Sequence, residues 1–109
     1  MTAFEIPLRL SNGLNAREHH FVRAKRVRAE RIAVAWMLKG KPPAAPLIVT
    51  MTRIAPSAGL DSDNLISSCK ALRDQIAQWL GVDDKCPSVQ YVCQQRRGPW
   101  AVGIQIEPA

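Results

Sequence analysis

Residues 60–84 read LDSDNLISSCKALRDQIAQWLGVDD. Leu65, Cys69, Leu72, Ile76, Trp79 and Leu80 recur at i, i+4, i+7 and i+11, a spacing that winds them onto one helix face. This predicts a helix over 64–80, entered from the polar turn Asp61-Ser62-Asp63 and stopped by Gly81, with residues 82–85 as the exit loop. A stripe of this kind is stable only when a second apolar surface covers it. The flanking segments supply one.

Upstream, residues 47–54 (LIVTMTRI) are β-branched and apolar and read as a strand buried on both faces. Before it, residues 16–39 read as a helix, ended by Gly40 and the Pro42-Pro43 pair. Its expected buried stripe is Val22, Ala29, Ala33 and Trp36, which fall within about 60° of arc. The chain opens on Phe4, Ile6, Leu8 and Leu10, alternating with Glu5, Pro7 and Arg9. That is a half-buried strand, either at an edge or with the Pro7 nitrogen facing outward, because Pro7 cannot donate to a ladder. Ser11-Asn12-Gly13 closes it as a turn. Downstream, Val89, Tyr91 and Cys93 alternate, residues 96–99 (RRGP) make a turn, and Trp100, Val102, Ile104 and Ile106 alternate again, which reads as a hairpin. The order β-α-β-α-β-β predicts an α+β fold, a small mixed β-sheet packed against two helices. With 109 residues it is a single domain over 1–109.

Composition narrows the function classes. Hydrophobic residues make up 47% of the chain, a globular value, and no apolar run approaches the ~20 residues that cross a bilayer. The start, MTAFEIPLRL, lacks the features of a signal peptide, so a soluble cytoplasmic protein is expected. Cys69, Cys86 and Cys93 form no CxxC pair and with His19 and His20 offer no zinc spacing; free thiols are expected. The two histidines read as surface residues. Net charge is +6, and it is uneven: residues 1–60 hold ten basic and three acidic residues, residues 61–109 five and six. One part is built to meet a polyanion, and nucleic acid is the commonest one. Arg23, Lys25, Arg26, Arg28 and Arg31, all on the first helix, are the candidate phosphate contacts.

The other part gathers carboxylates. Four of the nine acidic residues, Asp61, Asp63, Asp83 and Asp84, flank the helix over 64–80. Mg²⁺ takes oxygen ligands, usually one or two protein carboxylates with water and substrate phosphate. An Asp–x–Asp turn at a helix entry projects two carboxylates from a defined backbone, and Asn64 can hold them from behind. The plainer reading is that Asp63 caps the helix, Asp61 forms the turn and Asp83-Asp84 is a solvated loop; by pattern alone it carries more weight. A calcium EF-hand is excluded, since Ile66 and Leu72 stand where the loop glycine and the bidentate Glu belong. Along a straight helix the two acidic pairs are ~25–30 Å apart, so the exit loop has to fold back for all four to meet. Asp63, Ser67, Lys70 and Asp74 share the solvent side, where Lys70–Asp74 is an ordinary i,i+4 pair.

DSDNL followed one helix later by GVDD, within this order of elements, resembles the RusA-type Holliday junction resolvases and their phage-encoded relatives. The resemblance runs nearly end to end, from the opening strand and Asn15 to the C-terminal strands. It implies a homodimeric, Mg²⁺-dependent endonuclease that nicks four-way or otherwise branched DNA symmetrically in recombination and repair. By position it implies Asp61, Asp63 and Asp84 as catalytic carboxylates, with Asp83 as a substitute for Asp84 in the metal set. It places Asn15 on the DNA side. Some members carry a Lys six residues after the first Asp. Here that position is Ser67, and Lys70 comes one turn later as the candidate catalytic lysine, with Arg73 as a supporting charge. The alternative is a non-catalytic DNA-binding or regulatory protein that keeps the fold.

Overall fold

LIVTMTRIA, β2 (Leu47–Ala55), carries apolar residues at both alternations and takes a neighbour on each side. The computed structural model describes residues 2–10, 19–83 and 85–109; the expected turn over 11–13, the helix start at 16, Asn15 and Asp84 lie outside them. The elements run β1 (Thr2–Ile6), α1 (His20–Met37), β2, α2 (Ser62–Ser68), α3 (Lys70–Leu80), β3 (Val89–Arg97) and β4 (Ala101–Pro108). The fold is α+β with a four-stranded mixed sheet of order β1-β4-β2-β3. β1 is an edge strand and ends just before Pro7, which has no N–H to extend the ladder, so the strand stops short of the expected Leu8 and Leu10.

The expected hairpin does not form. β3 pairs in parallel with β2, and β4 pairs antiparallel with β2 and β1, so β2 lies between the two strands that the turn connects. The connection crosses the end of β2: Gly98 N donates to Ala55 O at 2.9 Å, and a Cβ on Gly98 would stand 3.0 Å from Ile54 Cγ2. A side chain there would crowd Ile54, which would have to give way by a few tenths of an ångström. Alternation told that both segments are strands, but β2, apolar on both alternations, won the central place.

β2 is not buried on both faces along its length. Leu47, Val49 and Met51 meet the helices, while Ile48, Thr50 and Thr52 are half-buried on the opposite face. There Thr50, Thr52, Gln94, Gly103 and Gln105 line an open groove of about 650 Å³. The core gathers Val49, Met51, Val102, Ile104 and Ile106 from the sheet with Val34, Leu65, Leu72 and Ile76 from the helices. All three cysteines are free thiols.

The expected single helix over 64–80 is two. Cys69, at φ −91° and ψ −1°, ends α2 and begins α3. The Ser68 hydroxyl donates back to Leu65 O at 2.7 Å, a bond that bends helices. Gly81 stops α3 in the left-handed region, φ 74°.

α1 buries a different face from the expected one. Val22 is 56% exposed and Trp36 71%, whereas Glu30 and Val34 are buried, with Leu38 just beyond the helix end. The helix docks on α3 through polar groups: Arg31 Nε donates to Gln75 Oε1 at 3.0 Å and its NH2 to Gln78 Oε1 at 2.6 Å. Arg26 NH1 donates to Glu30 Oε2 at 2.8 Å. Paired polar side chains can be buried where unpaired ones cannot, and periodicity of apolar residues is blind to that.

Candidate active site

The segment that presents Asp61 is clamped before it becomes a helix. Gln95 on β3 accepts from Leu60 N at 2.9 Å through Oε1 and donates to Leu60 O at 2.8 Å through Nε2. Asp61 is then the N-cap of α2, a role sequence reasoning gave to Asp63. Its Oδ1 accepts from Asn64 N at 2.9 Å and from Asn64 Nδ2 at 2.8 Å. Asn64 is buried and holds the Asp61 carboxylate from beneath. Asp63 lies in the first turn, where the helix dipole favours a negative charge. Both aspartates are exposed. Replacing Gln95 with Leu removes both clamping bonds. We expect a loss of about 1–2 kcal/mol in denaturant unfolding, because the Leu60 N–H and C=O are each left without this partner in a half-buried loop.

Asp83 is elsewhere. It follows the far end of α3, an eleven-residue helix about 16 Å long, and its Oδ1 accepts from Lys85 N at 2.8 Å to order the exit loop. Within one chain Asp61 and Asp63 share an end and Asp83 stands at the other. Among the described residues no three His, Cys, Asp or Glu side chains converge as a metal-holding group. Two exposed carboxylates on an anchored backbone do fit Mg²⁺, which needs only one or two from the protein. Asp61 would offer Oδ2, its Oδ1 being engaged with Asn64.

Lys70 Nζ donates to Asp74 Oδ2 at 2.9 Å on an exposed face, a pair worth a few tenths of a kcal/mol. Arg73 places its guanidinium 6.0 Å from the Tyr91 ring centroid. The five basic candidates on α1 divide into two groups. Arg23, Lys25 and Arg28 are exposed, while Arg26 is held by Glu30 and Arg31 by the α3 glutamines.

Sequence reasoning passed over Arg53. It points inward with Val49 and Met51, is 2% exposed, and pairs across the sheet with Gln95, the residue that clamps Leu60. Its guanidinium carbon lies 5.4 Å from the Trp100 ring centroid, and that of Arg9 lies 4.8 Å from the same ring. Among the described residues its Nε meets no acceptor, and burial pulls its pKa below the usual arginine value. The signal was present: an Arg at an inward position of an otherwise apolar strand. No family model, curated protein or solved structure matches this chain.

Proposed function

We propose that the protein is a Mg²⁺-dependent endodeoxyribonuclease acting on four-way or otherwise branched DNA, as a homodimer, in recombination or repair. The observation that carries this reading is the Asp61–Asp63 pair. Two exposed carboxylates stand on a backbone anchored by Gln95 on one side and Asn64 on the other. Asp61 and Asp63 would hold the metal, and Mg²⁺ supplies a Lewis acid for the scissile phosphate when bound. Asn64 keeps the Asp61 carboxylate aimed outward, and Lys70, released from Asp74, brings a cation to the phosphate. The exposed Arg23, Lys25 and Arg28 bind the backbone to either side of the cut.

A second reading is favoured by one feature: Asp83 lies at the opposite end of α3 from Asp61 and Asp63. With no third carboxylate beside them among the described residues, the fold could bind junctions and not cut them. Synthetic four-way junctions incubated with the purified protein in Mg²⁺ and in EDTA decide between them. Cleavage in Mg²⁺ alone supports the nuclease, retarded but uncut junctions support the binding protein, and free junctions in both overturn the proposal.

Changing Arg23, Lys25 and Arg28 together to Gln should weaken binding to every DNA sequence alike. The slope of log K against log salt should fall by about one unit for each phosphate no longer neutralised. An unchanged slope would mean that these residues only solubilise the helix.

A further inference from the structure

The outward face of α1 carries Phe21, Lys25, Arg28, Ile32 and Trp36, which follow one another at helical spacing and lie within one arc. All five are exposed, Phe21 by 72% and Trp36 by 71%, and the two rings are about 22 Å apart along the axis. Phe21 is part of a ring cluster at the start of the helix. The His20 and Phe21 centroids are 4.1 Å apart, His19 and His20 4.3 Å, and the cluster is fixed by Phe21 N donating to His19 Nδ1 at 3.3 Å. Two aromatic platforms thus bracket a cationic middle.

Charge selects the occupant. Glu30 is the one acidic residue of α1, and it is buried against Arg26, so this face carries cations and no anion. A second copy laid on it would set Lys25 and Arg28 against the same cations. A lipid surface asks for an unbroken apolar face, and here the two cations separate Phe21 from Ile32. A strand of nucleic acid with its bases unstacked matches both features, phosphates for the cations and flat π-faces for the rings.

We propose that α1 binds unpaired DNA bases, with Phe21 (backed by His20) and Trp36 stacking on them while Lys25 and Arg28 hold the intervening phosphates. This rests on the DNA-binding reading above and goes beyond it, because duplex ends offer the rings little and strand-exposed junctions offer much.

The test uses the full chain in EDTA, so that cleavage plays no part. Fluorescence anisotropy follows binding to labelled oligo-dT, to a blunt duplex and to a four-way junction, for the wild type, Phe21→Ala and Trp36→Ala. Both side chains are exposed, so the variants should fold normally. Each should bind oligo-dT about tenfold more weakly, with duplex affinity changed less than about twofold and the salt slope unchanged, since a ring carries no counterions. Trp36 emission should be quenched by oligo-dT, and that quenching should be missing in Trp36→Ala, where Trp79 and Trp100 remain. Equal losses on duplex and single strand would overturn the inference, as would unchanged affinities. So would a shift to monomer in sedimentation with DNA affinity intact, or Phe21-dependent capture by anionic vesicles in place of DNA. If the wild type binds no DNA of any form, the functional reading itself fails; if it binds and both variants match it, only this inference does.

Discussion

Asp63→Asn should lower the single-turnover rate of junction cleavage on the order of a hundredfold or more, with junction binding in EDTA unchanged or slightly tighter. The amide keeps size and shape, and loses the charge that a hard cation needs. The cost to stability should stay below about 1 kcal/mol, because Asp63 is exposed and its main structural contribution is to the helix dipole. The cap itself belongs to Asp61 and is untouched. Asp83→Asn, made in parallel, reads the other end of the helix. If it leaves the rate within about threefold, the chemistry resides at the Asp61 end alone. A loss as deep as that of Asp63→Asn would mean that the two ends meet on the substrate, through a second copy. Wild-type cleavage by Asp63→Asn would sink the assignment of the metal site.

The largest loss of stability is expected inside α1. Glu30 is almost fully buried and Arg26 is about a quarter exposed, with 2.8 Å between them. Arg26→Ala takes the guanidinium from a buried carboxylate, and breaking a buried pair in this way costs about 3 kcal/mol. Against a total of ~5–15 kcal/mol that is a large share, and it corresponds to a fall of about 12–20 °C in the thermal midpoint of a domain this size. Replacing both partners with Leu should recover most of the loss, since the apolar pair has no charge to desolvate. The same reasoning separates this arginine from its neighbours in DNA binding. Arg28→Gln should weaken binding at full stability, whereas Arg26→Gln should chiefly unfold the helix docking. Equal effects of the two on affinity, with no difference in melting, would contradict the role given to Glu30.

The local geometry of the candidate site was partly legible in the sequence. Asp61, Asp63 and Asn64 are read directly from the turn that enters a strongly patterned helix, because caps and carboxylate pairs are local arrangements. The part that was not legible concerns reach. The Gln95 clamp joins residues 35 apart in sequence, and Arg53 lies beside it only because β2 and β3 run parallel in that register. Asp83 enters the metal set only through the family resemblance, while helix length already set it far from Asp61, and it follows the C-terminal end of α3.

By itself the sequence determined the class of the fold, the identity of the strands and the inward stripe of Leu65, Cys69, Leu72 and Ile76. These follow from periodicity, which states what each residue would bury. Tertiary structure alone decided which surfaces meet. It inserted β2 between β3 and β4, turned the Arg26–Glu30 side of α1 inward, and left Phe21 and Trp36 in solvent. The physical reason is that burial of a face depends on its partner. A carboxylate can be buried where a cation pairs with it, an apolar stripe stays in solvent where no surface covers it, and the sequence of one segment does not say what it will be packed against.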